Sequence, residues 1–476
     1  MKEKVIFAAT GAPGSGKTES VLQALPALLA AGKHIVIAFP TVNLINEIAQ
    51  RIEQLHLAYK RIDSVSNIDS RQVVNELNDA LECKEYSIVL CTHTSIKNVE
   101  PRNLAGWDLV IDELPQVVNY FSYYFDEAEV NNLFTHLEQV KKQLVIRGDH
   151  QGDLQRIVGV NGDITSTWSD GVRNIFRLIL SDEVVFIEGL DNNRKRLVWC
   201  VEIVLSWWRI FATASKVDVL AANIAGDFKL HSELNGFQFK QSEFAPSAST
   251  CKCPVTIYPL IRKGSKFSKR VALGDVGQEL RPIDLMLDTA LKNCANTPLV
   301  SANNWSNLEN RRDIRFMSKE SRGLNQYSDA TDAILLFGGN PSPAEIMCLK
   351  DLAGKHELSY DVFFESFITT RLLEPSLQCV ARTALRKPDN IERINLFVQD
   401  ERVLKYLTES YLQHAIVNWS LSDCLPSKAD GRYTDPDQKQ RVLDLVSQGM
   451  SDSRINRETG VSRTTIRKWK AQQQAA

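Results

Sequence analysis

The chain reads as an α/β protein, with two parallel-sheet domains in succession followed by a small all-α module. Short apolar runs at 5–9, 34–38, 87–91 and 107–111 alternate with helical patterns, and a second set lies near 297–301, 313–317, 333–338 and 394–398. Such alternation builds parallel sheets from βαβ units. The first run leads straight into a glycine-rich loop and then a helical pattern. A break in composition at Pro426-Ser-Lys-Ala-Asp-Gly431 sets off the C-terminal segment. The expected domains are 1–245, with an insertion at about 118–200, then 246–425 and 435–476.

The loop is the most specific element. Residues 11–18 read Gly-Ala-Pro-Gly-Ser-Gly-Lys-Thr, between the run Val5–Ala9 and the helical spacing of Val21, Leu22, Leu25, Leu28 and Leu29. Gly11, Gly14, Ser15 and Gly16 let backbone N–H groups curl around a polyphosphate at a helix N-terminus. Lys17 is expected on the β and γ phosphates, and Thr18 on Mg²⁺ through its hydroxyl. The second half of a nucleotide site is the strand Trp107–Ile111 ending in Asp112 and Glu113. Asp112 suits the Mg²⁺ shell, and Glu113 suits the orientation and deprotonation of an attacking water. The presence of Glu113 makes the chain an expected ATP hydrolase, with ATP and Mg²⁺ as cofactors.

Bulk properties exclude other classes. The 476 residues are 43% hydrophobic and 24% charged, as in a soluble globular protein, and the net charge of −2 does not by itself point to nucleic acid. The greasiest run, Ile203–Ala214, is interrupted by Arg209, so no membrane partner is expected. Nine cysteines are scattered, and no second pair joins Cys251 and Cys253 to complete a metal quartet. Neither a disulfide framework nor a zinc site is expected, and the expected location is cytoplasmic.

With the phosphate loop and carboxylate pair in place, the chain resembles a superfamily 2 helicase, a motor of two RecA-like domains with ATP between them. Further segments fall in that family's order. Phe39-Pro40-Thr41 and Thr92-His93-Thr94-Ser95 resemble motifs that grip the nucleic-acid backbone, implying DNA contacts at Pro40, Thr41 and Thr92. Arg209–Ser215 resembles the Ser-Ala-Thr motif that couples hydrolysis to domain movement, implying that role for Thr213 and Ala214. A rival for it is Leu144-Val-Ile-Arg-Gly-Asp-His-Gln151. Pro298-Leu-Val-Ser301 opens the second domain's matching strand. Arg322-Gly323-Leu324-Asn325 resembles a motif touching both nucleic acid, through Asn325, and the nucleotide, through Gly323.

Gln378, Arg382 and Arg386 resemble the family's arginine-finger motif. Their spacing of four puts an amide and two guanidinium groups on one face of a helix. An arginine from a second domain neutralises γ-phosphate charge only when the domains close. Either Arg382 or Arg386 can be the finger, because Ala381 stands where the family has Gly and the second arginine is displaced by one. The Asp-Glu-Leu-Pro sequence and the short segment ahead of the loop depart from DEAD-box RNA helicases.

Some segments carry two readings. Asn119–Phe125 is strongly aromatic and serves either as a packed insertion or as a base-stacking surface. Lys263, Lys266, Lys269 and Arg270 form either a nucleic-acid loop or a solvated turn. At the C-terminus, 438–446, 452–458 and a last helix from Ser462 resemble the helix-turn-helix of resolvases and invertases, with Val442, Leu445, Val446, Ile455, Val461, Ile466 and Trp469 as its small core. That resemblance places Arg463, Thr464 and Thr465 at base edges, and Arg467 and Lys468 on phosphates. These readings together imply an ATP-dependent DNA helicase or translocase, with single-stranded DNA along the motor and duplex DNA at the C-terminus. Replication of a plasmid, phage or other mobile element is the setting they suggest, and proteins of such a system the partners. The alternatives are an ATP-controlled DNA-binding switch, a nucleic-acid-sensing defence ATPase, and an RNA helicase.

Overall fold

The computed structural model describes residues 4–64, 70–159, 168–190, 194–246, 253–274, 280–319, 327–387, 389–425, 436–459 and 461–474. The chain divides into two compact units, Met1–Ser422 and Asp423–Ala476.

The first unit begins with β1 (Lys4–Thr10), β2 (His34–Phe39), β3 (Lys60–Ile62), β4 (Ile88–Thr92) and β5 (Trp107–Asp112). The chain then leaves this sheet for an excursion made of β6 (Val118–Phe125), β7 (Leu137–Val140), β8 (Gln143–Ile146), β9 (Val185–Leu190) and β10 (Arg196–Ile203). It returns with β11 (Lys216–Ala221) and β12 (Phe237–Gln241), and the first sheet has the order β12-β1-β11-β5-β2-β4-β3, parallel throughout. Its central strands β2, β4, β5 and β11 are buried on both faces. Ile35, Ile37 and Phe39 pack with Leu22, Leu25 and Ile48 on one side, while Val36 and Ala38 join the larger core on the other. The alternating side-chain directions of a strand thus meet apolar partners either way, which is why these strands read as continuous apolar runs.

The excursion forms an antiparallel sheet in the order β6-β10-β9-β8-β7. The amphipathic helix Asp170–Leu180 buries Val172, Ile175, Phe176 and Leu178 against it, together with Val185, Ile187 and Val198. The aromatic segment 119–125 is its edge strand β6 and belongs to this packed sheet. Strand β8 carries the rival coupling sequence, which therefore lies in the excursion rather than in the first sheet.

The second parallel sheet comprises β13 (Val255–Pro259), β14 (Leu299–Ala302), β15 (Arg315–Phe316), β16 (Asp332–Leu336), β17 (Ile394–Val398) and β18 (Ile416–Val417), in the order β15-β14-β16-β17-β13-β18. The C-terminal unit has helices Pro436–Ser447, Asp452–Thr459 and Arg463–Gln474, packed around Val442, Ile455, Val461, Ile466 and Trp469. Among the described residues no helix is long and apolar enough to cross a membrane.

Thr213 and Ala214, to which the resemblance assigns coupling, stand at the end of the helix Ser206–Thr213, and the strand β11 follows them. Trp207, Trp208, Ile210 and Phe211 are all buried, and their spacing is that of one helical face. The Thr213 hydroxyl donates back to the Arg209 carbonyl at 3.0 Å, within its own helix.

Helix Asp227–Leu234, from the first-sheet region, packs against helix Tyr360–Ile368, from the second. His231 is buried in that contact, its ring 6.2 Å from Phe363, and neither ring nitrogen has a hydrogen-bond partner among the described residues. Burial, then the neighbouring His356, pulls its pKa down to about 4. Because an unfolded histidine titrates near ~6.5, only the unfolded chain takes up this proton as pH falls from there towards 4. The stability His231 permits is therefore complete above that window and lost within it, by up to about 3 kcal/mol. His231→Leu should flatten that acid limb, a difference readable from paired denaturant melts at pH 7 and pH 4.5.

Candidate nucleotide site

Strands β1, β11 and β5 are neighbours in the first sheet, so their C-terminal ends deliver three loops to one edge. From β1 the loop 11–16 turns into helix Lys17–Ala30. Gly14 and Gly16 have φ of 82° and 90°, values that side-chain-bearing residues rarely adopt, and Gly16 caps the helix in the left-handed region. Gly11 N–H donates to the Ala221 carbonyl at 3.2 Å and so ties the loop to the end of β11.

Lys17 folds back on this loop, its Nζ donating to the Gly11 and Ala12 carbonyls at 2.7 and 3.0 Å. Burial lowers its pKa to about 8, against the opposing pull of Asp112, Glu113 and Glu374. Thr18 Oγ1 donates to Asp112 Oδ1 at 3.1 Å, joining the loop to the end of β5. Burial, followed by the adjacent Glu113, pushes Asp112 up to about 7. A buried carboxylate with raised proton affinity beside a hydroxyl is a donor set that fits a hard divalent cation such as Mg²⁺. Glu113 itself stands at φ 65°, held there by its N–H donating to the Leu220 carbonyl at 2.8 Å. Non-glycine residues in this region cost roughly 1–3 kcal/mol and cluster at functional sites.

The facing wall comes from the second parallel sheet's region. Helix Tyr360–Ile368 runs through a π-helical turn, Thr369–Leu373, into helix Glu374–Val380. Gln378, Arg382 and Arg386 do not share one helix as expected. The helix stops at Val380, where Thr383 Oγ1 donates to the Val380 carbonyl at 2.7 Å; Arg382 lies in the turn and Arg386 in the short 3₁₀ segment Ala384–Arg386. All three nonetheless line one cleft of about 580 Å³ with Gly14, Ser15, Gly16, Lys17, Thr18, Asp112 and Glu113. That volume is ample for a nucleotide. Arg382, only 5% exposed, places Nη2 3.9 Å from Glu113 Oε1 and donates to Gln378 Oε1 at 3.4 Å. Arg386 lies against Gly14, so closely that a Cβ there would come 2.7 Å from its Cγ.

Several cleft residues escaped the sequence reading. Ala222 and Asn223 follow β11, and Thr370, Arg371 and Glu374 lie on the π-helical turn and the helix after it. Asn223 Nδ2 donates to Tyr406 OH at 3.2 Å, Tyr406 donates to Glu374, and Tyr411 OH donates to the Ala222 carbonyl at 2.8 Å. Asp227 N–H donates to Thr370 Oγ1 at 2.9 Å. The exit of β11 is thereby hydrogen-bonded to the second sheet's helices, whereas Thr213 and Ala214 do not line the cleft. An apolar stretch after Lys216 was the available signal, obscured by the charges of Lys216 and Asp218 within β11, which pair at 2.9 Å.

The remaining expected residues are more scattered. Thr41 and Thr92 are helix N-caps, accepting from Leu44 N at 3.4 Å and Ser95 N at 3.2 Å, with Pro40 beside the first. Gly323 and Asn325 lie outside the described residues, as do the side chains of Thr464 and Lys468. Ser462 caps the last helix by accepting from Thr465 N at 3.2 Å, and the Thr465 hydroxyl lies 2.8 Å from that of Ser462. Arg467, expected on phosphate, pairs with Asp452 at 3.1 Å, and Lys470 pairs with the same carboxylate at 2.8 Å. These pairs are correctly read only in three dimensions, since Asp452 belongs to the preceding helix. Arg463 remains at the start of the last helix.

The family of DEAD/DEAH box helicases matches residues 1–147, from the phosphate loop through the Asp112-Glu113 pair and into the excursion. Among solved structures, the chain is similar in fold to Xpd4 from S. tokodaii, with a TM-score of 0.53 and 12% identity over 87% of this chain and 96% of that one. It is similar also to an XPD helicase (0.52, 13%, 87% and 96%) and to an apo form of XPD (0.52, 14%, 87% and 97%). No curated protein matches the sequence. Residues 1–147 thus resemble a DEAD/DEAH box helicase domain, and the chain as a whole is similar in fold to the XPD structures.

Two substitutions separate loop geometry from chemistry. Gly14→Ala sets a side chain against Arg386 at a positive φ, and should weaken binding of a fluorescent ATP analogue at least about tenfold. Glu113→Gln keeps size and position and should leave that affinity within about twofold, while cutting steady-state hydrolysis by about 10²–10⁴.

Proposed function

We propose that the chain is an ATP-driven motor acting on DNA, a helicase or translocase whose hydrolysis site is completed by the second parallel-sheet region. The observation that carries this reading is the shared cleft. Lys17, Thr18, Asp112 and Glu113 come from one sheet's edge, and Gln378, Arg382 and Arg386 come from the other region. In this account Lys17 exchanges its two loop carbonyls for the β and γ phosphates of ATP, an exchange that its burial favours. Thr18 and Asp112 would hold Mg²⁺, whose charge offsets that of the phosphates. Glu113 orients the attacking water and accepts its proton, and Arg382 and Arg386 stabilise charge on the transferred phosphoryl group.

Movement would follow from the same contacts. Arg382 lies near Glu113 in this structure, and a γ-phosphate between them would give the arginine a stronger anion. Loss of that anion on hydrolysis would loosen the seam. The coupling role expected of Thr213 is better filled by Asn223 and Asp227, which bond directly to Tyr406 and Thr370 across the seam. Backbone contacts to a DNA strand are proposed at Pro40, Thr41, Thr92 and Asn325.

DNA rather than RNA is supported by the C-terminal unit, whose three helices and N-capped last helix suit a helix-turn-helix. Arg463, Thr464 and Thr465 would face base edges, and Lys468 a phosphate. Arg467 is held by Asp452 yet 73% exposed, so it can still turn to the backbone. A duplex-reading module on the same chain as a motor would direct loading to a chosen sequence, as replication of a plasmid, phage or other mobile element requires.

Hydrolysis by the purified chain should rise several-fold or more with single-stranded DNA and less with RNA. Turnover indifferent to every nucleic acid would contradict the motor and favour an ATP-controlled switch. Lys17→Ala should abolish turnover while duplex binding, followed by anisotropy, persists; Arg463→Ala should do the reverse.

A further inference from the structure

Away from the cleft, the antiparallel excursion brings three metal-ligating side chains to one point. His136 is the last residue of helix Glu127–His136, and His150 and Asp153 lie where the chain enters helix Gln151–Gly159. Hairpin β7–β8 separates them in sequence, and Arg147 N–H donates to the His136 carbonyl at 2.9 Å to close its base. His136 Nδ1 and His150 Nδ1 are 3.2 Å apart, and His150 Nδ1 is 3.2 Å from Asp153 Oδ2. The three ligand atoms all lie within 4.8 Å of one another.

From this convergence we infer that His136, His150 and Asp153 form a binding site for a divalent transition-metal ion of the zinc class. The spacing suits it. Tetrahedral zinc with bonds of about 2.0–2.1 Å has ligand–ligand edges of about 3.3 Å. Protons satisfy the cluster less well. A ring nitrogen carries at most one hydrogen, so His150 Nδ1 makes one linear hydrogen bond. If it donates to Asp153, it has no lone pair for His136; if it accepts from His136, its lone pair confronts the carboxylate. A single cation accepts electron pairs from all three atoms at once.

The surroundings are those of a supported metal site. Arg156 bonds Asp153 Oδ1, which orients the carboxylate and leaves Oδ2 turned to the histidines. The His136 ring packs edge-on to Phe176 at 5.9 Å and beside Trp168 at 5.6 Å, an apolar wall that fixes its orientation. On the other side the His150 and Asp153 side chains are 34% and 37% exposed, which leaves a fourth position open to water. Two imidazoles and one carboxylate are ligands that zinc accepts readily. The ion would clip helix 127–136 to helix 151–159 across the base of the hairpin. No cysteine takes part, so inspection of cysteine spacing could not reveal it.

The test uses the full chain, stripped with chelator and dialysed against ZnCl₂. About one zinc per chain should remain, and Co²⁺ in its place should give the visible absorption of a tetrahedral site. Asp153→Asn, at a partly exposed position, should weaken zinc binding by about tenfold or more, and His136→Ala with His150→Ala should abolish the cobalt spectrum. Zinc should also slow amide exchange in residues 137–146 of the wild type but not of Asp153→Asn. Retention below about a tenth of an equivalent, or binding unchanged by these substitutions, would overturn the inference.

Discussion

The structure turns on buried charge shared across a seam. Asp112, 6% exposed, ends β5, and Arg382, 5% exposed, reaches the adjacent Glu113 from a turn in the second sheet's region. The cations that face Asp112 and Glu113 come from both directions: Lys17 from the first sheet's loop, Arg382 and Arg386 from the second sheet's region. The distances are loose where ATP would enter, 3.9 Å between Arg382 and Glu113, and tight where the loop is anchored, 3.1 Å between Thr18 and Asp112. Affinity for a charged ligand is thereby built into the way the sheets meet.

Strand order is what makes this possible. Placing β11 between β1 and β5 lets one strand receive both Gly11 N–H and Glu113 N–H at its end, through the Ala221 and Leu220 carbonyls. Beyond that point the chain continues as Asn223 and Asp227, which reach Tyr406 and Thr370 in the second region. The phosphate loop, the carboxylate strand and the opposite wall are all within one or two hydrogen bonds of β11. A change in the cleft has a short physical route to the seam between the two sheet regions.

Much of this was legible in the sequence, for identifiable reasons. Strands buried on both faces, such as Ile35–Phe39 and Leu109–Ile111, are apolar throughout and stand out. Glycines mark the loop because side-chain-bearing residues rarely adopt the φ values of Gly14 and Gly16. Reading failed where charge or locality misled. Strand β11 hides behind Lys216 and Asp218, whose ion pair and Ser242 bond exist only in the folded sheet. The run 206–213 is apolar enough for a strand, yet its burial pattern is helical. Gln378, Arg382 and Arg386 promised one helix face; a threonine hydroxyl at 383 ends that helix, and the residues converge through a turn instead. The His136–His150–Asp153 cluster joins two helices across a hairpin, and no local pattern announces such a meeting.

The central claim is that the second sheet's arginines complete the hydrolysis site, and single-turnover hydrolysis by Arg382→Ala tests it most directly. With ATP prebound and DNA present, the account predicts nucleotide affinity within a few-fold of wild type and a hydrolysis step slowed by about 10³-fold or more. Arg386→Ala, measured in parallel, should show whether the second arginine shares that burden. Wild-type single-turnover rates in both variants would contradict the account, because the first sheet would then hydrolyse ATP alone.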